Sequence, residues 1–178
     1  MDNKKLLIIG CGGHSKVATD IAELSGYDDI QFLETNKSSK DSFMGRKVNK
    51  YVENWKDPFF VAIGDNSLRQ DNFRRFAIDN KLAKAVSLFH PMSSISKYAE
   101  IMPGSLFLPF AVVNACVKIG YGVIVNTSSV VEHDNILNEF CSLAPGVKTG
   151  GNVEVGCRAA ISLGCSISPG VKIGKDNI

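Results

Sequence analysis

His133 and Asp134, within Val131-Glu132-His133-Asp134, are the side chains best suited to move a proton in this chain. An imidazole changes charge near neutral pH, and an adjacent carboxylate can fix the orientation of its ring. A lone histidine is more often structural than catalytic, so the pair is a candidate and no more at this stage. A second group of residues suits an anion. Gly10-Cys11-Gly12-Gly13-His14 follows an apolar run and precedes a helical pattern. Glycines there let the backbone approach a phosphate, while a helix N-terminus supplies free N–H groups and a positive dipole end. The full G-x-G-x-x-G spacing is not met, because Ser15 stands in place of the third glycine. A tight strand-to-helix turn would use the same residues. In such a unit the end of the second strand reaches a ribose or base, and here that place holds Glu34 and Thr35. Gly64 and Asp65, with Asn66 and Arg69, occupy the equivalent crevice after a later strand. No metal site is expected. His133 is the lone histidine of its half, and Cys116, Cys141, Cys157 and Cys165 lack ligand spacing.

The elements that must hold these residues differ between the two halves. From Ile95 to Ile173 every sixth residue is bulky and apolar, with the single exception of Thr149. The residue two positions earlier is nearly always small, as at Ser105, Ala111, Ser129, Cys141 and Ala159. A period of six fits neither a helix nor a simple strand, but three six-residue sides close one triangular coil of a parallel β-helix. The series predicts a little under five coils, or a prism roughly 22 Å long at the interstrand spacing. Cys141 and Cys165 fall on the small positions, where a thiol serves as a compact hydrophobe. The pattern is interrupted at Val171 to Ile178, leaving an uncapped coil, so a C-terminal shortening is expected.

The first part reads as α/β. Leu6 to Ile9 is a buried strand, Val17, Ile21 and Leu24 mark one face of a helix, and Ile30 to Leu33 is a second strand. This is a βαβ unit. Phe59 to Ile63 is a later strand, followed by a helix from about Ser67 to Asn80 with Phe73, Phe76 and Ala77 inward. Arg69, Asp71, Arg74 and Arg75 are expected to face water. Val86 to Phe89 reads as the last strand of this part, ended by His90-Pro91, where histidine has a structural role. The expected division is a Rossmann-like domain over residues 1–90 and a β-helix over 91–178.

Composition excludes several classes. The 178 residues carry a net charge of +2, which gives no reason to expect nucleic acid or an anionic membrane as partner. The apolar runs are far too short to span a bilayer, and Lys4-Lys5 leads straight into a strand without a targeting leader. Five cysteines, an odd number, suit a reducing cytoplasm.

Taken together, Gly-x-Gly-Gly-His at residues 10–14, Gly-Asp-Asn at 64–66, His-Pro at 90–91 and Val-Val-Glu-His-Asp at 130–134 resemble one family over essentially the whole chain. It is the NeuD/PglD-like group of sugar acetyltransferases with a left-handed β-helix. The resemblance implies a homotrimer, with acetyl-CoA in the groove between neighbouring β-helices and a nucleotide-linked amino sugar on the N-terminal domain. It implies His133 as general base with Asp134 as its acidic partner. Gly151 would offer its N–H to the thioester oxygen, and Ser142 and Leu163 would also meet the cofactor. Gly10, Gly12, Gly13, His14, Glu34, Thr35, Gly64 and Asp65 would meet the nucleotide sugar. The chain departs from the family at Glu34-Thr35, which replaces an Asp-Asp pair, and at Ser142, where some members carry a second histidine.

The implied activity is direct N-acetylation of a nucleotide-linked amino sugar for a surface glycan. O-acetylation of a sugar such as a sialic acid would use the same base. A non-catalytic β-helix scaffold would have no need of the His-Asp pair, and a dinucleotide oxidoreductase would leave the β-helix without a role.

Overall fold

The computed structural model describes residues 4–34 and 41–178. The chain divides into two compact units between Val86 and Ser87. The first is α/β. Strands β1 (Lys5–Ile9), β2 (Asp29–Leu33), β3 (Ser42–Phe43), β4 (Arg46–Asn49) and β5 (Phe59–Val61) form one sheet in the order β3-β4-β2-β1-β5. Pairing is parallel except between β3 and β4. Helix α1 (Gly13–Leu24) links β1 to β2, and α2 (Asn66–Asp79) follows β5. Leu6 to Ile9 are buried because a central parallel strand is covered on both faces.

Two side-chain placements differ from the sequence expectation. Leu24 is exposed, and α1 instead buries Ser15, Ala18, Thr19, Ile21 and Ala22. The small residues Ala18, Thr19 and Ala22 let this helix lie close against its sheet. Arg69 does not face water; it is 1% exposed. Its guanidinium donates to the Ile63 and Gly64 carbonyls, each at 3.0 Å, and to the Asn66 side chain at 2.7 Å. A buried cation is tolerable where several acceptors replace water. Phe76 is buried on α2, and Phe73 and Ala77 are partly buried beside it, as the spacing predicted.

The second unit is a left-handed parallel β-helix of two-residue strands in three stacks of five. The first stack begins at Leu88–Phe89 and continues through Leu106–Phe107, Ile124–Val125, Ser142–Leu143 and Ala160–Ile161. Leu88–Phe89 therefore pairs with Leu106–Phe107 rather than ending the α/β sheet. Phe89 stacks on Phe107, with ring centroids 4.8 Å apart. The second stack runs from Ser94–Ile95 through Val112–Val113, Val130–Val131 and Lys148–Thr149 to Ser166–Ile167. The third runs from Glu100–Ile101 to Lys172–Ile173. Phe107, Val113, Val125, Val131, Leu137, Leu143 and Val155 point inward and are buried, each stabilising by about 1.5–3 kcal/mol. Cys141 is buried among them and Cys165 packs against the same core.

The corners follow the same period. From Gly104 to Asp176 every sixth residue has a positive φ. Five are glycine; the others include Cys116, Asp134, Asn152 and Arg158. This is the second central position of a type II turn, where glycine is easiest and a non-glycine residue costs about 1–2 kcal/mol. At Ala115, His133, Gly151 and Leu163, first central positions of these turns, the N–H goes to no backbone carbonyl among the described residues. Proline fits there for that reason, as at Pro103, Pro109, Pro145 and Pro169.

Candidate functional site

His133 and Asp134 are the two central residues of the corner between the Val130–Val131 and Ile136–Leu137 strands. Asp134 has φ +59°, a conformation that its short polar side chain tolerates. The carboxylate is thereby turned toward the preceding ring, and His133 Nδ1 lies 2.8 Å from Asp134 Oδ2. With Nδ1 carrying the proton toward the carboxylate, Nε2 keeps its lone pair and is the basic atom. Both side chains remain more than half exposed, so a ligand can reach them.

Gly151 occupies the equivalent corner position one coil further along. A Cβ on Gly151 would sit 2.6 Å from His133 Cε1 and 2.8 Å from Nε2, so the imidazole fills the space that glycine leaves. The Asn152 N–H donates to the His133 carbonyl at 3.1 Å, tying the two corners together. The Gly151 amide is engaged by no backbone carbonyl among the described residues. A base and a free amide thus lie side by side, the pairing that acyl transfer needs.

Beneath this corner lies a buried polar cluster. Thr149, the single polar member of the inward series, is 4% exposed, and Asn135 is fully buried. The Asn135 amide donates to Thr149 Oγ1, and the Asn135 carbonyl oxygen accepts the Val153 N–H at 2.6 Å. Thr149 Oγ1 also accepts the Glu132 N–H at 3.1 Å.

The glycine loop of the first unit is likewise built for close approach. Gly10 has φ +112°, and a Cβ there would lie 3.0 Å from the Ala62 carbonyl, so this glycine serves the turn. Gly12 and Gly13 have open space over their α-carbons. Ser15 is fully buried; its hydroxyl accepts the Gly12 N–H at 3.3 Å and donates to the Ala62 carbonyl at 3.2 Å. It thus packs helix to strand where a third glycine was absent. His14 is partly buried, and its buried Nε2 has no hydrogen-bond partner among the described residues. Burial, and then the Arg69 charge, lower its pKa to about 4, so the ring is neutral at pH 7. Asp65 caps α2, accepting the Leu68 N–H at 2.8 Å, and Gly64 gives its carbonyl to Arg69. Both have structural work in this chain.

Glu34 lines a cavity of about 260 Å³ beyond the ends of β1 and β2, with Lys50, Tyr51 and Arg75. Sequence reasoning missed Lys50 and Tyr51, which lie in an irregular stretch without a motif; Arg75 was visible only as a charge on a helix. Thr35 lies outside the described residues. Ser142 belongs to the first stack, and Leu163, 73% exposed, precedes the corner glycine Gly164. Neither shares the His133 corner. His90 has its backbone role: its carbonyl accepts the Ser93 N–H at 2.8 Å, and Nδ1 accepts the Met92 N–H at 3.1 Å. Among the described residues no three His, Cys, Asp or Glu side chains converge as a metal set, and no helix is long and apolar enough to cross a membrane.

Residues 5–76 match the family described as the PglD N-terminal domain. The chain is 27% identical over 134 residues to a GDP-perosamine N-acetyltransferase of Escherichia coli O157:H7. That match spans 70% of this chain and 60% of the relative's length. PerB from Caulobacter crescentus, solved in complex with CoA and GDP-perosamine, superposes with a TM-score of 0.86 at 30% identity. It matches 97% of this chain, which covers 84% of it. The acetyltransferase domain of PglB from Neisseria gonorrhoeae FA1090, in complex with acetyl coenzyme A, gives 0.76 at 31% identity, over 97% of this chain and 89% of that one.

Proposed function

We propose, because this chain belongs to the NeuD/PglD-like family of sugar acetyltransferases, that it transfers the acetyl group of acetyl-CoA to the amine of a nucleotide-linked amino sugar. The observation that carries the reading is the corner where His133, oriented by Asp134 at 2.8 Å, faces Gly151 across the space of a missing Cβ. His133 Nε2 takes a proton from the neutral amine as its nitrogen attacks the thioester carbonyl carbon. The Gly151 N–H receives the developing oxyanion, an interaction worth about 3–4 kcal/mol in comparable sites. The carbon–sulfur bond then breaks and the proton passes from His133 to the coenzyme A sulfur. No acetyl-enzyme forms, so none of the five cysteines need act as nucleophile.

In this reading the first unit holds the nucleotide sugar, with Gly12, Gly13 and His14 at its phosphates and Glu34 toward its base. The second unit carries the transfer. Ser142 and Leu163 stand on other parts of the prism than His133. A homotrimer would place acetyl-CoA between two copies of the β-helix, with Ser142 and Leu163 as further contacts. The site is assigned to the cytoplasm, where acetyl-CoA and nucleotide sugars meet.

The experiment is thiol release from acetyl-CoA with a panel of GDP-, UDP- and CMP-linked sugars, wild type beside His133→Ala. A GDP-linked 4-amino sugar heads the panel, since the Caulobacter neighbour holds GDP-perosamine. Release with an amino sugar, lost in the variant, is the expected result. Release with a hydroxyl sugar alone would move the activity to O-acetylation, and equal rates in both proteins would remove His133 from the reaction.

A further inference from the structure

We infer that Thr149 and Asn135 are positioning residues for His133, a role that rests on the reading of His133 as the base. Each inward position of the β-helix core is otherwise apolar, and a valine at 149 would match threonine in shape. The hydroxyl is nonetheless fully used. It accepts from Asn135 Nδ2 and from Glu132 N and donates to the Val130 carbonyl at 3.4 Å.

This cluster replaces ordinary ladder bonds around His133. In the preceding coils Ser96 N–H donates to the Val113 carbonyl and Asn114 N–H to that of Val131. By that pattern Glu132 N–H should reach the Thr149 carbonyl, yet it turns to the Thr149 side chain. Val130 pairs with Lys148, but the Val131–Thr149 pair is lost, although the flanking coils keep both pairs. Val153 N–H is taken by the Asn135 side chain in place of a turn carbonyl, as Val123 N–H is by Ser105 in an earlier coil, here with an amide that also reaches Thr149. The peptide entering His133, the residue leaving Asp134 and the strand leaving Gly151 therefore converge on two side chains. The loss of the Val131–Thr149 ladder pair occurs at one coil, beside the candidate base, and marks a functional constraint rather than a packing requirement. Thr149 and Asn135 set the height of the His133 corner against the Gly151 amide, and a displacement of about 1 Å between them suffices to lose up to 100-fold in rate.

The test compares wild type, Thr149→Val, Thr149→Ser and His133→Ala. Steady-state kinetics are paired with NMR of the imidazole nitrogens and protons, with His133→Ala assigning the His133 signals among three histidines. Thr149→Val is expected to lower kcat 10- to 100-fold with both KM values within twofold, and to shift the His133 signals. Thr149→Ser is expected to restore kcat and signals while leaving the extra cavity. Should valine not fold, Thr149→Ala takes its place. Unshifted His133 signals in a folded Thr149→Val would overturn the inference, as would a wild-type kcat in Thr149→Val while His133→Ala is inactive. If His133→Ala keeps its activity the proposed reaction fails instead, and the NMR comparison still decides whether Thr149 places the ring.

Discussion

The imidazole of His133 rests against the α-carbon of Gly151, so that one methyl group added there would lie 2.6 Å from Cε1. The obstructing atoms belong to an exposed side chain rather than to backbone, so the ring can move away.

Gly151→Ala should therefore leave the β-helix folded and displace the base. We expect a Tm within a few degrees of wild type and a kcat reduced about 100-fold, in line with the effect of a 1 Å misplacement. Thermal denaturation and thiol release, run on one preparation, check both halves. A large loss of Tm would show that the glycine serves the coil instead.

Removing the base itself should be more severe. His133→Ala is expected to lower kcat by about 10²- to 10⁴-fold. Asp134→Asn keeps a residue that tolerates φ +59° but withdraws the carboxylate from Nδ1. A smaller loss, about 10- to 100-fold, is expected, with KM for acetyl-CoA unchanged. Equal activity of Asp134→Asn and wild type would leave the carboxylate without a part in orienting the ring.

In the glycine loop the three glycines should separate by role. Gly10→Ala meets the Ala62 carbonyl at an unfavourable φ and should lower Tm. Gly12→Ala and Gly13→Ala have room in the fold, so they should keep Tm and raise KM for the nucleotide sugar alone. Calorimetry and titration of the nucleotide sugar distinguish the two outcomes.

The partly buried His14 makes stability depend on pH. Its folded pKa of about 4 lies below the ordinary value of 6.5, so between these values the unfolded chain binds more protons. Its contribution is complete above pH 6.5 and is lost as pH falls toward 4, on the order of 3 kcal/mol in total. Urea unfolding at pH 7.5, 6 and 5 should show this slope, and His14→Gln should reduce it. An identical slope in the variant would assign the pH dependence to other groups.

Much of this architecture was legible because each place in the six-residue period has one physical task. Inward places take bulk, the places before them take small residues, and the turns take a residue able to adopt positive φ. The Thr149 exception was visible in the sequence, but its meaning was not, since its partner Asn135 lies 14 residues earlier. Arg69 was misread for a similar reason. A charged residue on a polar helix implies solvent unless the carbonyls at the end of β5 are known to converge on it. Leu88–Phe89 was assigned to the α/β sheet because a short apolar run carries no mark of the sheet it will join. On α1 the spacing of Val17, Ile21 and Leu24 finds the inward Ile21 but not the exposure of Leu24, because small residues set the approach to the sheet.

The bare amides of the corners form a ruled edge along the prism. On the edge bearing His133 the first turn positions are Lys97, Ala115, His133, Gly151 and Pro169, in successive coils. Four can present an N–H outward, roughly 4.8 Å apart, and the proline ends the row. The edge through Pro109, Thr127 and Pro145 is largely closed in the same way. Proline thus acts as a mask, deciding which edge of an otherwise repetitive solid can grip an anion or a carbonyl oxygen. Transplanting that mask, with Gly151→Pro, would silence one donor at little cost in backbone bonds, while its Cβ would also press on the His133 ring.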